Sequence, residues 1–290
     1  MESCKLYYSF IFLMILLVFS LLPDCRKYNP KVPVTVNEAA GLHRIDTIVQ
    51  GVYTFYIYKK DTGSLVVGYN EIYLQLKNKT TGEFIENANL SWKPLIHMPS
   101  VSQTCPYSGI SKVPNTNTLY TGYFIFIRAT GNADYWEITY DYTNGTDTLA
   151  RFTDRPDVIN PAGLSRYRSF VGADSVSSYF LALVNPTQAQ VGSNVITVYL
   201  YQEINLLSFT QVVIYTIQTD PAMPEMGNMT SPNNINLTYN SGIYEGKLNL
   251  TMNGYWKINL IVLNASDSIV GGNAVTASNT ASSLYFEIEF

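Results

Sequence analysis

The amino-acid sequence predicts an all-β protein, and its composition and residue patterning are the first reasons. Only 14% of the residues are charged, whereas tyrosine alone contributes 23 residues, which is typical of strands with one solvated face. Apolar and polar residues alternate in short runs such as Tyr53–Tyr58 and Ile72–Leu76. Turn-forming clusters such as Thr80–Gly82 separate these runs, and no amphipathic helical stretch follows the N-terminal region.

A duplicated pattern predicts that the strands form two copies of one domain. Three segments recur in the same order: Val67–Ile72 as Val191–Ile196, Leu119–Gly122 as Ile243–Gly246, and Trp136–Ile138 as Trp256–Ile258. The first two pairs share an offset of about 124 residues, as expected of a repeated domain. Each copy has about seven strand signals, which is typical of an immunoglobulin-like β-sandwich. We therefore expect two tandem sandwiches, with Trp136 and Trp256 in their cores.

The predicted boundaries follow from composition along the chain. We assign residues 1–24 to a signal peptide, 25–49 to a tether, 50–149 to the first sandwich, 150–168 to a linker and 169–290 to the second sandwich. Pro30 and Pro33 in the tether, and Pro156 and Pro161 in the linker, interrupt any regular period.

The N-terminus predicts export. Lys5 precedes the apolar run Tyr7–Leu22, which has the length of the apolar region of a signal peptide. Leu22 lies three residues before Cys25, as in bacterial lipoprotein signals, and we expect Cys25 to be the lipidation site. An uncleaved signal anchor and ordinary secretion are the alternatives, since Pro23 and Asp24 stand where small residues are usual.

Several classes of function find no support in the sequence. The net charge of −4 argues against a nucleic-acid partner. The two histidines, His43 and His97, belong to no catalytic motif, and no nucleophile elbow or phosphate-binding loop is present. We therefore predict a protein that is not an enzyme.

Candidate metal ligands occur in corresponding loops of the two copies. Met223, Met226 and Met229 lie in a proline-bearing loop of the second copy, and a poorer set, His97, Met98 and Cys105, lies in the first. Thioether, imidazole and thiolate groups are ligands that favour Cu(I). The alternative is that these methionines pack over the open end of the sandwich, as methionine does readily.

These loops resemble a known family. Pro221–Asn234, Tyr244–Lys247 and Met252–Ile258 resemble the YtkA-like and FixH-like domains of Bacteroidota lipoproteins, and the first copy is similar through His97-Met98, Cys105-Pro106, Tyr120–Gly122 and Trp136. The resemblance implies an immunoglobulin-like sandwich at the cell envelope, on the outer membrane or periplasmic face of a Gram-negative bacterium, with a link to copper handling. Asn228 stands where relatives tend to carry histidine.

Two functions of different classes remain open. The first is a copper-binding or metallochaperone lipoprotein that is held to the membrane by its lipid anchor and serves an envelope protein or metal acceptor. The second is a structural or adhesive surface module that binds a protein or glycan partner.

Overall fold

Alternating residues form β-strands along the described chain. The computed structural model describes residues 37–144 and 147–290. The predicted signal peptide, the lipidation site Cys25 and the tether up to residue 36 lie outside the described residues. In the first half the strands are β1 (His43–Gln50), β2 (Tyr53–Lys59), β3 (Leu65–Val66), β4 (Gly68–Asn78), β5 (Asn89–His97), β6 (Ser102–Gln103), β7 (Ser111–Lys112), β8 (Tyr120–Phe126), β9 (Tyr135–Asn144), β10 (Asp147–Asp154) and β11 (Val158–Ile159).

The second half continues in the same way, with a short 3-10 turn after its fifth strand. Its elements are β12 (Tyr167–Val171), β13 (Ser178–Asn185), β14 (Gly192–Asn205), β15 (Ser208–Gln211), β16 (Thr216–Met223), the 3-10 turn Pro224–Met226, β17 (Met229–Thr230), β18 (Ile235–Asn240), β19 (Ile243–Leu250), β20 (Tyr255–Leu263), β21 (Ile269–Gly272) and β22 (Leu284–Glu289). The predicted all-β class is confirmed. No helix in the described part of the chain has the length and apolar character needed to cross a membrane.

The first half is a two-layer sandwich. One antiparallel sheet has the order β1-β2-β4-β8-β7 and the other has the order β10-β9-β5-β6. Large aromatic side chains fill the space between them, among them Phe55, Phe124 and the fully buried Trp136. Burial of such side chains is a major source of the stability of a sandwich.

The second half has the same layers, joined at one edge. Its strands follow the order β12-β13-β14-β19-β18-β16-β20-β21, with β15, β17 and β22 as branches. Because β18 pairs with both β19 and β16, it links the two layers into one continuous sheet. Trp256, Tyr244 and Phe286 are fully buried in this core.

One pair of neighbouring strands has the same register in each half. In the pair β4–β8, Gly68 lies opposite Phe126, and in the pair β14–β19, Gly192 lies opposite Leu250. Both residues of the second pair follow their counterparts at the offset of about 124 residues seen in the sequence. Since a one-residue slip would exchange buried and exposed faces, the shared register means that equivalent residues face equivalent layers.

A buried asparagine opens the equivalent strand in each half. The Asn70 side chain donates to the Val66 carbonyl at 2.7 Å and accepts from the Val66 amide at 3.0 Å. Asn194 makes the same two bonds with Gln190, at 2.8 Å and 2.9 Å. Each asparagine thereby satisfies the backbone groups of a tight loop, as buried polar groups require.

The two halves pack together through the outer faces of their sheets. The hydroxyl groups of Tyr123 and Tyr201 are 2.7 Å apart, and the rings of Tyr123 and Tyr199 stack with centroids 4.5 Å apart. Ile125 and Phe180 are buried in the same cluster. Residues Glu38–Phe290 accordingly form one compact unit.

Ordered structure extends into the segments that the sequence assigned to the tether and linker. All but the last residue of strand β1 lies in the predicted tether, residues 25–49, and β1 pairs with β2. The Glu38 carboxylate accepts hydrogen bonds from the Asn117 and Thr118 amides at 2.7 and 2.8 Å. Strand β10 continues to Asp154, and β11 pairs in parallel with β3. Strands β2 and β3 offer backbone N–H and C=O groups at the edges of their sheets, and the backbones of β1 and β11 form hydrogen bonds with these groups.

Candidate functional site

The methionine loop of the second half has a defined backbone geometry. Met223 ends β16 and lies directly opposite Met229 of β17. The 3-10 turn between them begins with Pro224, and Gly227 ends it in the left-handed conformation, with φ of 67° and its amide donating to the Pro224 carbonyl at 3.2 Å. Proline at the start and glycine at the end suit such a turn.

The three methionines differ sharply in exposure. Met223 is 4% exposed, whereas Met226 and Met229 are 55% and 36% exposed. Met223 belongs to the core cluster that contains Trp256, and its methyl group lies 2.9 Å from where a Cβ on Gly254 would stand. Met223 therefore packs the core, while Met226 and Met229 are exposed residues. Directly opposed residues on paired strands lie on one face, so Met223 and Met229 are neighbours.

A fourth methionine lies at the same end of the sandwich. Met252, in the turn before β20, is partly buried against the core cluster that includes Met223. Its carbonyl accepts a hydrogen bond from Trp256 Nε1 at 3.0 Å. The sequence pointed to Met252 only as part of the segment Met252–Ile258, because it lies well beyond the loop. The pairing of β16 with β20 brings the turn before β20 to the end of β16.

In the first half, His97 is held by local partners. Its Nδ1 lies 3.0 Å from the Ser102 hydroxyl, and its ring stacks on Tyr135 with centroids 4.9 Å apart. Its Nε2 lies 3.9 Å from Glu137 Oε1, and Glu137 also pairs with Arg155 at 2.9 Å. His97 thus belongs to a polar and aromatic cluster on the outer face of the sheet.

Met98 and Cys105 lie in different surroundings from His97. The Met98 sulfur accepts a hydrogen bond from Arg128 at 3.0 Å, and a cation at that distance opposes metal binding. Cys105 is 1% exposed in the core cluster, and burial raises the pKa of its thiol well above the usual range, although the thiolate is the ligand form. Ile96 faces the core, so His97, the next residue in β5, points to the opposite face of the sheet. The structure does not bring these three side chains together as a ligand set.

The sequence did not predict that the carboxyl groups of Asp46 and Asp154 lie close together. Asp154 is largely buried in a cavity of about 360 Å³ that Asp46 and Asp157 also line. Burial, followed by the charge of Asp46, raises the pKa of Asp154 to about 6. Because this pKa exceeds the unfolded value of 3.8, the stability that this group contributes is fully present below pH 3.8 and is lost as the pH rises through about 6.

Fold and site together define an all-β sandwich protein with a methionine-bearing loop at one end of its second half. Within residues 37–144 and 147–290, no three His, Cys, Asp or Glu side chains are grouped to hold a metal ion. Residues 174–260 match the family model described as YtkA-like. This match spans Met223, Met226, Met229 and Met252, and it supports the resemblance for the second half. No curated protein matched the chain.

Proposed function

We propose that this protein is a non-enzymatic, lipid-anchored module of the cell envelope that binds Cu(I) through the methionine loop of its second half. The observation that carries the proposal is the pairing of Met223 with Met229 across two short strands, with Met226 in the turn that joins them. This arrangement puts three methionines in one hairpin, and Met226 and Met229 are its exposed ligand candidates. Soft, neutral sulfur ligands favour Cu(I) over harder cations.

The exposure of the loop supports a ligand role. Met226 and Met229 project into solvent, where a thioether contributes little packing energy of its own. The turn carries the acidic Glu225 and no basic residue, so no positive charge in it repels an incoming cation. The first half offers no comparable set, since Cys105 is in the core and Met98 contacts Arg128. We therefore expect one Cu(I) ion per chain.

We further infer that the two sandwiches are tandem immunoglobulin-like copies of one domain. The shared strand register and the equivalent hydrogen bonds of Asn70 and Asn194 support this. On this inference the first copy has kept the framework and lost the ligand loop. Its role is then to position the second copy relative to the membrane and to a metal acceptor or other envelope partner.

The test of copper binding is the double substitution Met226→Leu with Met229→Leu. Leucine keeps the apolar volume and removes the sulfur, and both positions are exposed, so thermal unfolding should be unchanged. We expect Cu(I) affinity, measured by competition with a chromogenic chelator, to fall at least about tenfold, equivalent to about 1.4 kcal/mol. The matched control is Met98→Leu, which should bind as the wild type does. Unchanged affinity in the folded double variant would reject the loop as the metal site.

The anchor is tested separately by Cys25→Ser. Acyl chains, unlike a spanning helix, are lost with the single cysteine that carries them. We expect the variant to leave the membrane fraction and enter the soluble fraction, while Cys4→Ser, in the same predicted signal, should remain membrane-bound. Membrane retention of the Cys25→Ser protein would contradict lipid anchoring at this residue.

A second candidate function, a structural or adhesive module, is favoured by one surface. The hairpin of β14 and β15 exposes Ile204, Leu206 and Leu207 at 57%, 42% and 60%, and adjacent exposed apolar residues often mark contact sites. Its position is fixed by a hydrogen bond from the Thr104 amide to the Leu206 carbonyl at 2.8 Å. Binding of an envelope protein or glycan that persists without copper and is lost on Leu207→Asp would favour this function.

A further inference from the structure

A cavity of about 450 Å³ lies where the two halves meet. Its walls come from both sides of the junction: Lys59, Lys60 and Asn70 from the first half, and Arg166, Leu183 and Thr187 from the second. The internal hydrogen bonds of Asn70 shape the loop at one wall. This cavity is separate from the methionine loop and from the carboxyl pair.

The two lysines at this cavity already have partners. Lys59 is buried and donates to the carbonyl groups of Gly63 and Ser64 at 3.2 and 2.8 Å, with the Asp61 carboxylate 3.1 Å away. Lys60 pairs with Glu71 at 2.8 Å. The charges of both side chains are therefore compensated within the protein.

Arg166 differs from them. Its guanidinium donates to the Val184 carbonyl at 3.0 Å, and in the described part of the chain it makes no ion pair, unlike Arg128, Arg151 and Arg155. Burial alone lowers its pKa, since no neighbouring carboxylate counters it. A guanidinium has five N–H donors, so Arg166 has more donor capacity than this bond uses.

Arg166 also borders a second cavity. This space, of about 470 Å³, is bordered by Pro186, Gln188 and the acidic Glu289. Arg166 therefore lines both spaces. A largely buried charge without a counter-ion is unfavourable. Because Glu289 lines the second space, an anion in the first space is the better partner for Arg166.

We propose that the cavity at Arg166 binds a small oxyanion, a carboxylate or phosphate group, with Arg166 as its principal ligand. The planar guanidinium can donate two parallel hydrogen bonds to such a group. The three cationic side chains lining the cavity outnumber its two acidic ones, Asp61 and Glu71, so the wall is positive in a chain of net charge −4. Because both halves line the cavity, the bound anion strengthens their junction. This inference does not depend on copper binding.

The test uses the full chain and two probes, succinate and inorganic phosphate. Each is titrated at constant ionic strength, with chloride as the balancing anion, by calorimetry and by thermal unfolding. We expect saturable binding of at least one probe and a rise in Tm that saturates with it. Arg166→Gln should weaken binding at least about tenfold without lowering the Tm of the unliganded protein, because it removes an unpaired buried charge.

Two further variants complete the design. Arg151→Gln is the control, because Arg151 is exposed, pairs with Asp141 at 2.6 Å and does not line the cavity. This variant should bind the probe as the wild type does. Arg166→Lys keeps the charge and loses the bidentate geometry, so it should bind with intermediate affinity, and it carries the test if the glutamine variant does not fold. Absence of saturable binding by the wild type, or unchanged affinity in the folded Arg166 variants, would overturn the proposal.

Discussion

Gly122, in the segment Tyr120–Gly122, lies where neighbouring residues leave no room for a side chain, and a single substitution can test this. A Cβ on Gly122 would lie 2.5 Å from Trp92 Cζ2, 2.7 Å from Ser108 Oγ and 2.8 Å from the Gly109 carbonyl oxygen. Ordinary contacts between such atoms are about 3.5 Å or longer. Gly122→Ala therefore forces an overlap of roughly 1 Å with three neighbours.

The neighbours of Gly122 have little freedom to move. Trp92 Nε1 donates to the Ser108 carbonyl at 2.6 Å, and the Trp92 ring packs on Phe124 with centroids 4.2 Å apart. Overpacking of this kind costs about 1–3 kcal/mol, whereas alanine restricts the unfolded chain and returns roughly 0.4–1 kcal/mol. The expected net loss in the free energy of unfolding is about 1 kcal/mol, or a fall in Tm of roughly 2–4 °C for a chain of this size.

Thermal and denaturant unfolding of Gly122→Ala measure this loss. Gly109→Ala is the matched control, because a Cβ there meets nothing within 4 Å. Gly246→Ala should repeat the effect in the second half, where the Cβ would lie 2.6 Å from the Ile235 carbonyl oxygen. If Gly122→Ala unfolds at the wild-type temperature, the close approach is not what requires glycine here.

Three further predictions follow from the structure. Asp154→Asn should be more stable than the wild type at pH 8 by roughly 1–2 kcal/mol after allowance for solvent screening, because it removes a charged carboxylate. The difference, measured by denaturant titration, should disappear near pH 4, where the carboxyl group is protonated. An equal difference at both pH values would contradict the raised pKa of Asp154. Cys105, buried and protonated, should react with a thiol reagent at least about tenfold more slowly in the folded protein than in denaturant; equal rates would refute its burial. A double-mutant cycle of Tyr123→Phe and Tyr201→Phe should give a coupling energy of about 0.5–1.5 kcal/mol in unfolding experiments; additive effects would mean that their 2.7 Å hydrogen bond contributes nothing.

Much of the fold was predictable because strands show a local pattern of alternating apolar and polar residues in the sequence. Alternation with a period of two marks which residues face a core, and it located strands such as β2, β8 and β9 from Tyr53, Tyr123 and Trp136 onward. The offset of about 124 residues predicted equivalent elements, and the common register of β4–β8 and β14–β19 is consistent with it. Trp136 and Trp256 are both fully buried, as predicted.

The site was less predictable because exposure depends on which strands become neighbours. The sequence treated Met223, Met226 and Met229 as equivalent, yet strand pairing placed Met223 in the core and left the other two in solvent. It also grouped His97 with Cys105 by proximity along the chain, whereas the alternation of β5 separates a face with polar partners from the core that holds the thiol.

The sequence by itself determined the all-β class, the turns that separate the strands and the recurrence of strand order. These features can be read from short segments, because they depend on residues adjacent or nearly adjacent along the chain. Only the tertiary structure decided which charges lack a partner. Asp46 lies close to Asp154, and Arg166 forms no ion pair among the described residues. Electrostatic and desolvation energies act through space and depend on burial, so they are defined only once distant segments have packed together.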